Sequence, residues 1–316
     1  MKALRLRAFG GPEVLVVDDV PAPGPLHGDE IIVRVHAAGV NRADILQRRG
    51  HYPAPAGSPP DILGLEFAGE VSAVGPSARE VRVGDRVMGI VGGGAQAEFV
   101  LTTERHVLSV PSAVSDVEAG AIPEAYITAH DALFTIGSLR PGERVMIHAV
   151  GSGVGLAALQ MAKLSGATVY GSSRTADKLS RARKFGLDHA IDPSVEAFPE
   201  TDVIIDFIGA SYLQRNIESL APLGRLVSVS TLSGPRAEID LSLLMRKRLR
   251  MAGTMLRNRT LDEKATATRA FAEMLPFFAG RQIAVPVDRV LPLTDAAAAH
   301  RAMEANENFG KIVLVL

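Results

Sequence analysis

The sequence predicts an α/β protein with a β-rich domain and a doubly wound parallel sheet. Up to about residue 119, short apolar runs are separated by turn residues, whereas strand-like and helix-like segments alternate from residue 120 onward. A chain of 316 residues is also long for a single core. We therefore predict a discontinuous β-rich domain at residues 1–119 and 259–316 and a parallel-sheet domain at residues 120–258.

The N-terminal segment is predicted to consist mostly of strands joined by turns. Strands are expected at Ile31–Val35, Phe67–Val71 and Val81–Val83, and Gly84 begins a turn. Residues 50–60 are rich in proline and glycine, so we expect an irregular loop there that could serve for binding.

The central segment has the pattern of a strand, a glycine turn and a helix. Val145–Val150 is nearly continuous apolar sequence, which is typical of a parallel strand covered on both faces. Three glycines follow within residues 151–155, and apolar residues then recur at helical spacing as far as Gly166, which is suited to end a helix. Ala167–Ser172 is predicted to form the next strand.

Such a turn can hold the diphosphate of a dinucleotide. The first N–H groups of a helix are unpaired, its dipole favours a negative charge there, and glycine lets the backbone approach the phosphates. We predict that a cofactor contacts Gly151, Ser152, Gly153, Val154 and Gly155, and the Ser152 hydroxyl could donate to a phosphate oxygen. A tight turn without a nucleotide is the alternative.

The end of the next strand indicates which dinucleotide is bound. An NAD site usually carries Asp or Glu there, to bind the ribose 2′-hydroxyl, but Tyr170–Thr175 has no acid. Ser172, Ser173, Arg174 and Lys178 offer hydroxyl groups and positive charge, which suit a 2′-phosphate. NADPH is therefore favoured over NADH, and an ordinary solvated loop is the alternative.

The remaining segments continue the alternation of strands and helices. In the parallel-sheet domain we expect helices at 177–185, up to 220 and at 241–248, and strands at 189–191, 203–208, 225–230 and 249–255. In the tail we expect helices at 259–278 and from 294, and strands at 283–290 and 311–316. The tail is expected to return to the first domain and to leave a ligand-binding cleft between the two lobes.

Composition excludes several classes of function. The formal net charge of −1 gives no reason to expect nucleic acid or an anionic membrane as a partner. The chain has no cysteine, so disulfides, thiolate catalysis and cysteine zinc sites are excluded. The first residues lack the apolar run of a signal peptide, and we expect a cytoplasmic protein.

Several motifs resemble the quinone oxidoreductase branch of the medium-chain dehydrogenase/reductase superfamily. These motifs are Ala38–Asp44, Ile62–Glu70, Val83–Val87 and Asn308–Val313. Others are similar to its tumour-suppressor-inducible subgroup, namely His148–Gly155, Ile122–Ala129, Gly209–Leu213 and Leu256–Lys264. The resemblance covers essentially the whole chain and implies a GroES-like catalytic domain, a Rossmann domain that binds NADPH, and a homodimer.

The resemblance also implies that no catalytic zinc is bound. The positions of the cysteine and histidine ligands of zinc-dependent relatives hold Asn41 and Leu65, and this pair cannot replace a thiolate and an imidazole. The eight histidines show no ligand spacing. We expect His148 to be a hydrogen-bonded core residue, since buried polar groups are normally satisfied.

By resemblance, Tyr52 lines the substrate pocket, where it could hydrogen-bond to a carbonyl oxygen, and Asn41 is the other polar candidate for the catalytic site. Tyr52 as a loop anchor and Asn41 as a backbone cap are the alternatives. Thr128, Asn308 and Lys311 match positions that contact the cofactor in the family, although Thr128 could equally be a helix residue without a ligand.

The predicted activity is NADPH-dependent reduction of a quinone, because without a metal or an activated nucleophile the chemistry must come from the cofactor. One alternative keeps the fold and reduces α,β-unsaturated carbonyls (enones). Another is an NADPH-binding sensor or structural protein with incidental reductase activity.

Overall fold

The computed structural model describes all residues of the chain, 1–316. The chain forms two compact units: unit 1 comprises Met1–Ile127 and Leu256–Leu316, and unit 2 comprises Thr128–Met255. Residues 120–127 and 256–258, which we predicted for the parallel-sheet domain, lie in unit 1. Ala121 packs there against Ala37 and Val313.

The chain contains fifteen strands and ten α-helices. The strands are β1 (Lys2–Leu6), β2 (Leu15–Asp19), β3 (Glu30–Val40), β4 (Glu66–Val74), β5 (Arg86–Ile90), β6 (Phe99–Thr103), β7 (Val107–Ser109), β8 (Arg144–Ile147), β9 (Thr168–Ser172), β10 (His189–Ile191), β11 (Thr201–Asp206), β12 (Leu220–Ser228), β13 (Arg250–Gly253), β14 (Val287–Pro292) and β15 (Lys311–Val315). The helices are α1 (Arg42–Arg48), α2 (Asp116–Ala119), α3 (Pro123–His130), α4 (Gly153–Leu164), α5 (Ala176–Ala182), α6 (Ala210–Ser219), α7 (Leu241–Lys247), α8 (Leu261–Phe271), α9 (Leu275–Ala279) and α10 (Ala296–Glu304).

Unit 1 is built on a seven-stranded sheet. Its order is β14-β15-β3-β4-β5-β7, with β6 also paired to β3, and β1 and β2 form a separate antiparallel pair. Alternate residues of β3, such as Ile31 and Val33, are fully buried and pack with Phe67 and Val87. This period-two burial is expected where one face of a sheet covers a core. The predicted β-rich domain is confirmed.

Unit 2 is a six-stranded parallel sheet in the order β10-β9-β8-β11-β12-β13. This is the doubly wound order, in which the direction of winding reverses between β8 and β11. Met146, Ile204 and Leu226 come from three neighbouring strands and share one buried cluster. The predicted doubly wound sheet is confirmed, and its switch point lies beside the glycine turn.

Two predicted strands differ in the structure because turns replace part of them. The strand predicted at 145–150 ends at Ile147, and Ala149 has a φ of +47°, which strand geometry does not allow. Residues 81–83 form no strand, because the Arg82 N–H donates to Asp85 Oδ2 at 2.8 Å and closes the turn at Gly84.

The tail also differs in detail from the prediction. The helix predicted at 259–278 is interrupted by a 3₁₀ turn at Ala272–Met274, between α8 and α9. The strand predicted at 283–290 begins only at Val287, where pairing with Lys311 of β15 starts. No prediction was made for α1 or β6.

Candidate functional site

The glycine turn of unit 2 follows β8 at the carboxyl edge of the sheet. Ser152 is the N-cap of α4, and its Oγ accepts a hydrogen bond from the Gly155 N–H at 3.0 Å. The N–H groups of Gly153 and Val154 belong to the first helical turn and have no acceptor four residues earlier in the helix. Two backbone donors and the positive end of a helix dipole therefore meet there, which suits a phosphate group.

Gly155 is required for the close packing of this turn. A Cβ atom at this position would lie 2.5 Å from the carbonyl oxygen of Ala149 and 2.8 Å from that of Val150. This is the role of the third glycine in a dinucleotide-binding turn, which lets helix and strand approach each other. The unpaired N–H groups and the helix dipole suit a diphosphate at this turn. Contact of the cofactor with Gly151, Ser152, Gly153, Val154 and Gly155 stays a prediction.

The residues at the end of β9 that were predicted to bind the 2′-phosphate differ in their exposure. Ser172 is 1% exposed, and its Oγ lies 2.7 Å from His148 Nδ1, so the structure places its hydroxyl in the core instead of at a phosphate. Ser173 and Lys178 are half-buried, and Arg174 is exposed. Phosphate binding by these last three residues stays a prediction.

His148 is the hydrogen-bonded core histidine that the sequence predicted. It is fully buried, and its Nε2 lies 2.7 Å from Asn216 Oδ1. If Nε2 carries the ring proton and donates it in a hydrogen bond to this oxygen, Nδ1 accepts a hydrogen bond from the Ser172 hydroxyl. Burial lowers the pKa of His148 to about 4, so the ring is neutral at physiological pH.

Unit 1 contains a buried ion pair beside the predicted catalytic residue Asn41. The Lys311 ammonium contacts Glu66 Oε1, and Asn41 Nδ2 donates to the same oxygen at 2.8 Å. Lys311 Nζ also donates to Asn41 Oδ1 at 2.6 Å. Glu66 is fully buried and Lys311 is 3% exposed, so the structure gives Lys311 an internal partner instead of a free ammonium.

Two backbone features accommodate this ion pair. A Cβ atom at Gly39 of β3 would overlap the Glu66 carboxylate, so glycine makes room for it. The second carboxylate oxygen of Glu66 accepts a hydrogen bond from the Glu124 N–H at 2.9 Å, at the start of α3.

Asn41 is the N-cap of α1, and its N–H donates to Asp44 Oδ2 at 2.8 Å. Asn41 thus occupies the N-cap position of α1, while its side-chain amide is engaged in the ion-pair cluster. Its contact with a ligand stays a prediction.

Tyr52 lies in the predicted irregular loop and is held by Arg257. The Arg257 guanidinium carbon is 5.0 Å from the centre of the Tyr52 ring, and Nη1 donates to the Tyr52 carbonyl oxygen at 3.1 Å. Arg257 also donates to the Gly92 carbonyl oxygen at 2.8 Å and to Gln47 Oε1. The Tyr52 hydroxyl makes no hydrogen bond within the chain, although the residue is half-buried. The ring is therefore fixed while the phenol remains available to a ligand.

Three ionisable groups of unit 1, namely Asp44, Glu124 and Tyr52, have raised pKa values. Burial raises the pKa of Asp44 to about 6, against the lowering effect of N–H groups from Asn41 and Gly64. Burial, followed by the nearby charge of Glu66, raises the pKa of Glu124 to about 7. Burial also raises the pKa of Tyr52 to about 12, so its phenol is protonated at neutral pH.

The other predicted cofactor contacts lie in different places. Asn308 is buried, and its Nδ2 donates to the Gly310 carbonyl oxygen at 2.7 Å, which stabilises the turn before β15. Thr128 lies inside α3 and is 8% exposed, as in the alternative that makes it an ordinary helix residue. Cofactor contact by Asn308, Thr128 and Lys311 stays a prediction.

Sequence reasoning missed three site residues, Glu66, Glu124 and Arg257. All three lie within motifs that carried the resemblance, at Ile62–Glu70, Ile122–Ala129 and Leu256–Lys264. An ionisable residue inside an otherwise apolar motif was the available signal, because burial of a charge requires a partner. The partners themselves are 25 to 245 residues away along the chain.

The parallel sheet with its glycine turn defines a dinucleotide-binding protein, and comparison with known proteins places it in a family. Residues 27–112 match the alcohol dehydrogenase GroES-like domain, and residues 153–279 match the zinc-binding dehydrogenase family. A quinone oxidoreductase of Pseudomonas aeruginosa is 33% identical over 99% of both chains.

Solved structures agree with this placement. The quinone oxidoreductase of Escherichia coli complexed with NADPH has a TM-score of 0.88 at 29% identity and covers all of both chains. An NAD-dependent alcohol dehydrogenase has a TM-score of 0.89 at 32% identity, again over both full chains. The chain belongs to the medium-chain dehydrogenase/reductase superfamily and is an oxidoreductase of that superfamily. Its membership of the tumour-suppressor-inducible subgroup stays a prediction.

None of the helices combines the length and the apolar character needed to cross a bilayer.

Proposed function

We propose that this protein is an NADPH-dependent quinone oxidoreductase that works without a metal ion. The observation that carries the proposal is the Tyr52 phenol, which is fixed by Arg257, protonated at neutral pH and without a partner in the chain. Such a group can donate a hydrogen bond to the carbonyl oxygen of a flat acceptor. The 33% identity to a quinone oxidoreductase supports the same reaction.

The residues have separate tasks in this reaction. The hydride would come from the reduced nicotinamide of NADPH when this cofactor is bound. The N–H groups of Gly153 and Val154, in the first turn of α4, would hold its diphosphate. Tyr52 orients the acceptor and polarises its carbonyl group. A quinone accepts electrons readily, so it needs no stronger acid than a phenol.

A panel of acceptors tests the reaction. Purified protein is mixed with NADPH and with quinones, enals or enoyl thioesters, and the loss of absorbance of the reduced nicotinamide is followed. We expect quinones to give the highest kcat/KM. Much faster turnover of enals or enoyl thioesters would establish the alternative of enone reduction. Tight NADPH binding with negligible turnover of every acceptor would indicate a sensor or structural protein.

The substitution Tyr52→Phe tests the role of the phenol. We expect kcat/KM for the quinone to fall about tenfold or more, since one hydrogen bond in the transition state is lost. The affinity for NADPH, measured by calorimetry, should not change. Unchanged kinetics would remove Tyr52 from the site and favour its role as a loop anchor.

NADPH is proposed over NADH because the end of β9 lacks an acid and carries Arg174. We expect Arg174→Ala to weaken NADPH binding much more than NADH binding, since only NADPH has the 2′-phosphate. The matched control is Arg183→Ala, which removes an arginine from the same unit beyond α5. Equal losses for both nucleotides at Arg174 would contradict the phosphate role.

The metal-free character is proposed from the residues at the ligand positions of zinc-dependent relatives. Asn41 has its amide engaged by Glu66 and Lys311, and Leu65 is apolar and 1% exposed. An ammonium beside Asn41 also repels a divalent cation. Metal analysis of the purified protein should give no stoichiometric zinc, and dialysis against EDTA should leave the activity unchanged.

A homodimer is proposed from the free edge of the parallel sheet. β13 is the outer strand, and all four of its residues are exposed. Met245 and Met251, at 67% and 39% exposed, lie on α7 and β13. An uncovered edge with apolar neighbours favours pairing with a second chain. Light scattering should give twice the 33.4 kDa of one chain, and a monomer would contradict the proposal.

The cytoplasmic location stays a prediction.

A further inference from the structure

Unit 1 contains a cavity of about 470 Å³ to which the proposed reaction assigns no task. It lies between the loop Phe9–Pro12 and the C-terminal end of α1, and Glu304 of α10 is also in its wall. Tyr52 and Arg257 do not line it, so it is distinct from the proposed acceptor site. Its volume is in the range of pockets that bind small molecules.

The loop is fixed against the end of α1 and carries an exposed aromatic ring. The Gly10 N–H donates to the Arg48 carbonyl oxygen at 3.0 Å. A Cβ atom at Gly50 would lie 3.1 Å from Phe9 Cγ, so the Phe9 ring packs against the backbone at Gly50. Phe9 is nevertheless 69% exposed. A ring that is supported on one side and open on the other offers a ligand a flat apolar surface.

The wall of the cavity also contains a buried guanidinium with unpaired donors. Arg48 is fully buried, and its Nη2 contacts Glu304 Oε1. Its Nε and Nη1 are buried and make no hydrogen bond within the chain. Since buried polar groups are normally paired, unpaired donors in the wall of an open cavity favour a ligand that accepts hydrogen bonds.

Positive charge exceeds negative charge around the cavity. Arg49 Nη2 lies 2.5 Å from the same oxygen of Glu304, and the Arg49 side chain is 52% exposed. Arg42 interacts with Glu304 and Arg49 through its charge. A second carboxylate is that of Glu13, whose Oε1 accepts a hydrogen bond from the Gly11 N–H at 3.1 Å. Three guanidinium groups, including the buried one, and two carboxylates leave one positive charge in excess, which favours an anionic ligand.

We propose that this cavity binds a small aromatic carboxylate. The half-exposed Arg49 guanidinium donates to the carboxylate of the ligand, for which its planar shape is suited. The ring of the ligand stacks on Phe9. Gly50, against which Phe9 packs, directly follows Arg49 in the chain, so a small ligand can reach both groups. Neither NADPH nor a quinone takes part in this binding, so the inference does not depend on the proposed reaction.

Calorimetry with salicylate as the probe tests the proposal. The purified full-length protein is titrated with salicylate in the absence of NADPH. We expect saturable binding at one site per chain. Salicylamide has the same ring without the negative charge and should not bind detectably, since it forms no charged pair with the guanidinium. Cyclohexanecarboxylate keeps the charge but lacks the flat ring and should bind about fivefold more weakly.

Two substitutions locate the ligand. Arg49→Gln should weaken salicylate binding by about tenfold or more, and Phe9→Ala should weaken it by about fivefold. Both side chains are at least half exposed, so both variants should fold, which circular dichroism checks. The matched control is Arg34→Gln, which removes a 55% exposed arginine of the same unit that pairs with Glu70, and it should bind salicylate normally.

Three outcomes would overturn the proposal. The first is the absence of saturable salicylate binding at millimolar concentrations. The second is equal binding of salicylamide, which would show that the charge of the ligand is not recognised. The third is an unchanged affinity in Arg49→Gln and Phe9→Ala, which would place salicylate elsewhere in the chain. The result of the acceptor panel affects none of these outcomes.

Discussion

The two units bury polar groups in opposite ways. In unit 1, Glu66 and Lys311 form an ion pair with Asn41 as a third partner. In unit 2, His148 is equally buried but neutral, with Ser172 and Asn216 as partners. A buried charge persists where an opposite charge is close, whereas an isolated buried imidazole gives up its proton. Each network lies next to predicted ligand-binding residues. An ion pair fixes the side chains in unit 1, whereas hydrogen bonds between neutral groups fix them in unit 2.

The largest effect is expected from breaking the ion pair. Lys311→Met leaves the Glu66 carboxylate buried without its counter-charge, and we expect the free energy of unfolding to fall by about 3–5 kcal/mol in urea denaturation. The double variant Lys311→Met with Glu66→Gln should recover part of this loss, because the carboxylate is then removed. Lys2→Met, which breaks an exposed pair with Asp19, is the control and should have no measurable effect. Equal results for both lysines would show that the pair contributes nothing.

A smaller effect is expected from the neutral network, and it depends on pH. Folding depresses the pKa of His148 from 6.5 to about 4, so folding favours the neutral ring. The contribution of the neutral His148 ring to the free energy of unfolding is complete above pH 6.5 and is lost as the pH falls toward 4. Between pH 7 and pH 4.5 the unchanged protein should lose roughly 2–3 kcal/mol relative to His148→Gln. His27→Gln, at an exposed position, should show no such difference. Parallel pH profiles for His148→Gln and the unchanged protein would mean that His148 is not neutral in the core.

The smallest effect is expected at the end of β9, where one substitution should change stability and another should change NADPH binding. Ser172→Ala removes the hydroxyl that donates to His148, and we expect a loss of about 1–2 kcal/mol in stability without a change in NADPH affinity. Arg174→Ala should show the reverse, with normal stability and weakened NADPH binding. A loss of NADPH affinity in a stable Ser172→Ala protein would return Ser172 to the phosphate site.

Local patterns allowed much of unit 2 to be predicted from the sequence. Residues 145–147 are apolar because both faces of β8 are covered, and Gly155 is required by the close approach of helix and strand. The end of the strand was misplaced because Val150 is apolar but lies after the turn at Ala149. Burial alone therefore does not distinguish a strand from the buried turn that follows it.

The candidate site of unit 1 could be predicted only in part. Asn41 and Tyr52 were found by resemblance, but their partners come from distant parts of the chain: Glu66 and Lys311 are 245 residues apart, and Arg257 is 205 residues from Tyr52. No periodicity connects residues at such distances, because the sheet and the returning tail bring them together. The residues 81–83 show the opposite error, since their alternation indicates a strand while Asp85 holds them in a turn.

The central proposal is the reduction of a quinone by NADPH without a metal, and one measurement addresses it directly. Protein dialysed against EDTA, with its zinc content determined on the same sample, is mixed with NADPH and 1,4-benzoquinone, and NADPH oxidation is followed at saturating quinone. We predict multiple turnovers by protein that contains no stoichiometric zinc. A protein that consumes no NADPH until zinc is restored would contradict the proposal.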